Sequence, residues 1–240
     1  MTPNPTITAI LTATTVLSMI GCKDPNTGGG GTSTGTPGGS PLEIAYPPAV
    51  ISGTEKPVTG VPNLIPVPEA PRAFLVPKGT TLLSKGKPVT SSDDNPVIGS
   101  LELITDGDKQ CDDGYFVELL DGPQWVQLDL GQSAAIHAVC VWHHHLGAKP
   151  PAFGRAYHDV IIRISDDPEF KTGVTTIYNN DYDDSAKLGK GTDHPYAESR
   201  FGLIADGNGN MGRFVRLYSS GNTANDMNHY CEVEVHGIPK

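Results

Sequence analysis

Gln124-Trp125-Val126-Gln127-Leu128-Asp129-Leu130-Gly131 is the stretch that decides the fold. Val126, Leu128 and Leu130 alternate with Trp125, Gln127 and Asp129, the period-two pattern of a strand with one buried face. Just downstream, residues 136–142 are nearly all apolar, as in a strand covered on both sides. Residues 157–165, 174–178, 213–219 and 231–237 continue the series. In the last, Cys231, Val233 and Val235 alternate with Glu232, Glu234 and His236. Polar, Gly-rich connections separate these runs, and no apolar stripe of period 3.6 is sustained between 72 and 240. The pattern predicts an all-β, antiparallel β-sandwich. About 165 residues suffice for a single core of that kind.

The remaining chain bounds the function. The 240 residues carry a net charge of −10. Residues 1–71 hold two basic and four acidic side chains, so −8 of that charge belongs to 72–240. A nucleic-acid partner would demand a basic stripe to displace phosphate counterions, and none exists. No apolar run is long enough to cross a bilayer as a helix, which excludes a multi-pass membrane protein.

The amino end reads as an address. Residues 7–20 form an uncharged, weakly apolar stretch ending Leu17-Ser18-Met19-Ile20-Gly21-Cys22, the layout of an export signal over 1–22. Gly21-Cys22 resembles the bacterial lipobox, in which the cysteine is lipidated. That resemblance implies an exported lipoprotein of a bacterial cell envelope, touching the membrane only through lipid on Cys22. Residues 23–41 are a flexible Gly/Ser/Thr/Pro linker, with 16 of the 18 positions from Asp24 to Pro41 of those types. Residues 42–71 contain seven prolines, which deny backbone donors to helices and central strands. They are expected as an extended stalk lying against a folded unit of 72–240.

Five motifs in order carry a family resemblance. Gly86-Lys87-Pro88-Val89-Thr90-Ser91-Ser92 and Leu103-Ile104-Thr105-Asp106-Gly107-Asp108 look like the opening of a discoidin (coagulation-factor type C) domain. Trp125 to Gly131 is similar to its tryptophan strand, and Arg163-Ile164-Ser165-Asp166-Asp167 to its Ser-x-Asp turn. Gly212 to Leu217 and Glu232 to Gly237 resemble its last two strands. The resemblance spans about residue 80 to 238 and implies a galactose-binding-like jelly-roll β-sandwich that is non-catalytic. Many members bind sugars, and some bind lipids or proteins. It further implies a structural Ca²⁺ held by Asp106, Asp108 and Glu232 with backbone carbonyls; the residues alone read equally as an acidic turn and a strand-face glutamate.

Other candidate sites come from the residues themselves. His143 and His145 would project to one side of a strand, and with His158 and Asp159 would suffice for zinc. The competing reading is a polar loop mouth whose histidines bond to neighbouring backbone. Asn222 to Tyr230 is dense in amide, acid and imidazole groups suited to sugar hydroxyls, with Tyr230 or Trp142 to stack on a pyranose. The alternative is a self-bonded loop of Asx turns. Asp181-Tyr182-Asp183-Asp184-Ser185 lacks EF-hand spacing. Gly207-x-Gly209-x-x-Gly212 has the letters of a dinucleotide fingerprint in the wrong context and reads as a turn.

The ligand-binding residues expected are therefore His143, His145, Asp181, Asn225, Asp226, Asn228 and His229. The expected partner is a polysaccharide or other glycan. A surface protein docking on the same loops is the alternative, and a metal-dependent hydrolase ranks last because no nucleophile motif is present. With Cys22 assigned to lipid, Cys111, Cys140 and Cys231 allow one disulfide, with the pair left open.

Overall fold

The computed structural model describes residues 38–49, 57–145 and 154–240. The export signal, Cys22 and most of the linker lie outside the described residues. Among these residues there are eleven strands and no α-helix. The strands are β1 (Ser40–Pro41), β2 (Leu75–Val76), β3 (Thr81–Leu82), β4 (Val89–Ser91), β5 (Val117–Leu119) and β6 (Gln124–Trp142), then β7 (Ile161–Ser165), β8 (Thr175–Asn179), β9 (Leu203–Ser219), β10 (Asn228–Tyr230) and β11 (Glu232–Pro239). The main sheet runs β3-β11-β6-β9-β7-β8 with β4 also on β6, while β5 pairs β10 and β1 pairs β2. Every strand pair is antiparallel.

The organising element is a long ribbon of β6 against β9. Its register is interrupted between Asp129 and Ala134 and again between Ile136 and Ala138. The even-numbered Val126, Leu128, Leu130 and Ile136 face the core, whereas beyond the second interruption the odd-numbered Val139 and Val141 do. A one-residue bulge reverses which side chains point inward, and it bends the strand. The bend folds the ribbon back on itself. Val126, Leu128, Val215 and Leu217 from one half share a single core with Val139, Val141, Val233 and Val235 from the other. Glycine is required at the fold: a Cβ at Gly212 would collide with Ile164, and one at Gly207 with the Ile136 carbonyl. The segment Gly207 to Gly212 is thus a bent part of strand β9, not the turn expected from its letters.

The outward face of the first half follows the alternation. Arg213 grips Asp129 bidentately at 2.6 and 2.7 Å, and Arg216 lies 4.3 Å above the Trp125 ring. The second half behaves differently. Glu232, Glu234 and His236 point away from the core yet are only 1, 5 and 5% exposed. Residues 42–46 cover that face, with Leu42, Ile44 and Tyr46 packed on Cys140 and Trp142. Under this strap Lys109 Nζ pairs with Glu234 at 2.6 Å and His236 Nε2 lies 3.1 Å from the other carboxylate oxygen.

The described residues of the proline-rich segment, 42–49 and 57–71, lie against the sheet. Ser40–Pro41 pairs with β2, Leu42 N–H donates to Phe74 O at 2.7 Å, and Ile65 forms a bridge to Tyr196. Prolines remove donors from such a segment, but the apolar residues between them still bury surface against the sheet. Cys111 and Cys231 form the disulfide, leaving Cys140 as a buried free thiol.

Candidate functional site

Folding the ribbon back brings its two ends together. Trp142, Leu203 and Glu232 end one half; Gln124, Ser219, Ile161 and Asn179 end the other. The segments leaving these ends touch one another. The His143 ring stacks on Tyr157 at 4.4 Å, Glu198 N–H donates to Arg155 O, and His158 exchanges backbone hydrogen bonds with 220–221. Asp159 accepts from the Ser185 hydroxyl at 2.8 Å. One end of the sandwich thus gathers His143, His145, Asp181 and the 222–230 segment, which are far apart in sequence.

These residues sort into a buried layer and an exposed one. His143 is fully buried, with Nδ1 2.6 Å from Glu198 and 3.0 Å from the Tyr196 hydroxyl. His145 lies 2.9 Å from the Lys109 carbonyl, as in the backbone-bonding alternative. His229 sits in a relay, with Tyr157 OH donating to Nδ1 and Nε2–H donating to Glu118, both at 2.8 Å. This arrangement holds the neutral ring, and a second proton would have to evict the buried tyrosine donor. Burial, with Arg155 and neighbouring imidazoles, pushes His229 down to about 3 and His144 to about 4. The strand ends at Trp142, so the period-two projection of His143 and His145 does not apply.

The candidate zinc set, the less favoured reading of these histidines, is not assembled. Among the described residues, ligand atoms within 4.8 Å of one another occur in Cys140/Glu234/His236 and in Asp159/Asp181/Asp183, not in His143, His145, His158 and Asp159. Trp142 and Tyr230 are fully buried, so neither offers a face to a sugar. Among the described residues, the exposed tyrosines are Tyr115 and Tyr182, at 62 and 40%. No sequence signal set these two apart.

Asp181 is buried and accepts from the backbone N–H groups of Ser185 and Ala186. Burial, and to a lesser degree the carboxylates of Asp181 and Asp183, raises the Asp159 carboxyl above its ordinary range. Asn228 is also buried: its Oδ1 accepts from Ser219 Oγ and Gly221 N, and its Nδ2 donates to Leu120 O and Gly122 O. Asn222 clamps the same loop, with Oδ1 accepting from Ala224 N and Asn225 N and Nδ2 donating to Asn225 Oδ1 and Met227 O. Above these clamps Asn225 and Asp226 are exposed at the tip.

At the expected calcium loop, Gly107 N–H donates to Glu232 Oε2 at 2.9 Å, joining loop to strand. Burial pushes the Glu232 carboxyl up to about 8. Asp106 and Asp108 are exposed and accept from N–H groups of their own loop. The three carboxylates do not form a closed shell.

No protein-family model matches the chain, and no curated protein does. Among solved structures, a chitosan-binding module of a chitosanase/glucanase from Paenibacillus sp. IK-5 is 19% identical, covering 65% of this chain and 99% of that one, with a TM-score of 0.45. A fucose-binding module from Streptococcus pneumoniae is also 19% identical, covering 65% and 96%, with a TM-score of 0.45. A family 89 glycoside hydrolase from Clostridium perfringens is 16% identical, covering 67% of this chain but 15% of that one, with a TM-score of 0.47.

Proposed function

We propose that the protein is a non-catalytic carbohydrate-binding module whose 220–227 loop meets the sugar. The supporting observation is the construction of that loop. Two buried asparagines lock its backbone from beneath, so Asn225 Nδ2 and the Asp226 carboxylate are presented with little ordering left to lose on binding. An amide donor beside a carboxylate acceptor suits adjacent hydroxyls of a sugar ring. The reading includes export, a lipid on Cys22, and a calcium ion held at Glu232.

A glycan array probed with the full chain tests this, followed by titration of each hit. Asn225→Ala with Asp226→Ala is expected to weaken binding by about tenfold or more, the loss of one to two hydrogen bonds, one charged. Unchanged affinity would place the sugar elsewhere. A protein partner is the second reading, favoured by exposed Val97, Tyr115 and Leu120 flanking β5. In that case no glycan binds, and charge substitutions at those three residues abolish capture of the partner.

A further inference from the structure

A cleft of about 780 Å³ lies where the proline-rich segment meets the sheet, well away in sequence from the 220–227 loop. One wall is Tyr46 and the 65–74 stretch; the other is the outer side of β8, the 193–202 connection and the start of β9. It is preformed. Arg200 Nη1 donates to Pro47 O at 2.8 Å, Ile65 N–H to Pro195 O at 2.7 Å and Ala197 N–H to Ile65 O at 3.0 Å, pinning the wall at three points. Its volume falls in the roughly 300–1,000 Å³ range of small-ligand sites.

Its lining joins two chemistries. Half-buried Tyr46 lines it together with Tyr178, Tyr196 and Phe201, which are only 7–8% exposed, and Tyr46 and Phe201 pack edge to face at 5.4 Å. At the rim, the Arg72 guanidinium and the Asn208 amide make no side-chain hydrogen bond among the described residues and are exposed. The contrast with Asn222 and Asn228, whose amides are fully engaged, sets Asn208 apart. The lining carries one cationic side chain, Arg72, and two carboxylates, Asp193 and Asp206, within a chain of net charge −10. A polyanion is thus disfavoured, while ring hydroxyls suit the guanidinium and amide and C–H faces suit the aromatic floor.

We propose that this cleft is a second binding site, for a neutral oligosaccharide, separate from the loop at the sandwich end. It extends the carbohydrate reading above but shares no residue with that loop. The full chain is titrated calorimetrically with neutral cello-, chito- and manno-oligosaccharides and with an oligogalacturonide, comparing wild type, Arg72→Ala/Asn208→Ala and Asn225→Ala/Asp226→Ala. Expected is a neutral probe whose affinity falls about tenfold or more in the cleft variant and holds in the loop variant. If every probe that binds loses affinity only in the loop variant, the cleft proposal is overturned and the loop reading stands; if one probe depends on the cleft and another on the loop, both stand, and if no probe depends on the loop, the loop reading falls and the cleft stands. Binding of no neutral probe overturns the cleft proposal while the glycan array decides the loop reading, and preference for the oligogalacturonide through Arg72 overturns the neutral assignment. Phe201→Ser, which removes aromatic floor without touching the rim, is expected to reproduce the loss if the variant melts cooperatively.

Discussion

Removing the Cys111–Cys231 bond is expected to destabilise the protein severely. The two cysteines are separated by 120 positions, so the bridge closes most of the folded chain into one loop. For a loop of about 120 residues the chain-entropy relation gives roughly 16 cal/mol/K, or about 5 kcal/mol at 25 °C. A domain of this size loses roughly 2–4 °C of Tm per kcal/mol, so Cys111→Ala/Cys231→Ala should melt some 10–20 °C below wild type. The assay is differential scanning calorimetry at neutral pH, with urea denaturation beside it. Because the bond restrains the unfolded chain, its loss should also raise the urea m-value through greater exposed surface. Cys140→Ala is the control: its thiol is buried and held well above the ordinary range by burial, so it has little thiolate with which to attack the bridge. A fall of under about 3 °C in the double variant, or peptide mapping that finds Cys140 bridged, would refute the assignment.

Three further outcomes are expected. Asn228→Ala strands several buried partners and should cost about 2–4 kcal/mol, whereas Asn225→Ala should leave the melting temperature nearly unchanged; equal effects would contradict the division between clamp and tip. Between pH 7 and 5, neutral His144 and His229 should cost about 2 kcal/mol each, because the unfolded chain takes protons below about 6.5 and the fold does not. Glu232 acts oppositely, since a carboxyl raised to about 8 is protonated in the fold and gains stability as pH falls. In EGTA, Glu232→Gln should therefore lose stability more steeply than wild type over this interval, and parallel slopes would contradict the burial of these groups. Added calcium should raise Tm and EGTA reverse it, and an unchanged melting curve would remove the ion from the proposed function.

The all-β fold was legible because its signals are local. The alternation at 124–131 survives as a strand with one face in the core, and that at 231–237 as a strand covered on both faces. The single ribbon was not: Gly131, Gln132 and Ser133 looked like a break, and the Gly-rich 207–212 like a turn, yet both are bends within continuous strands. Bulge bends depend on who packs across the fold, which periodicity does not record. The same holds for Glu232, Glu234 and His236, polar by pattern but hidden by a segment nearly 190 residues earlier. At the sandwich end, composition pointed to the right segments but not to their roles. Asn228 serves the interior, while Asn225, the same residue type three positions away, faces outward. Hydrogen-bond partners drawn from Leu120 and Gly122 decide that division.

The strap over the polar face also has a mechanical meaning. Tension drawn along the chain from its amino side would arrive first at a two-residue ladder and a single lateral bond to Phe74. Those few links would peel long before the disulfide-closed sandwich yielded. Peeling would wet Lys109, Glu234 and His236, turning stored desolvation into an elastic, resettable slack on the amino side of the sandwich.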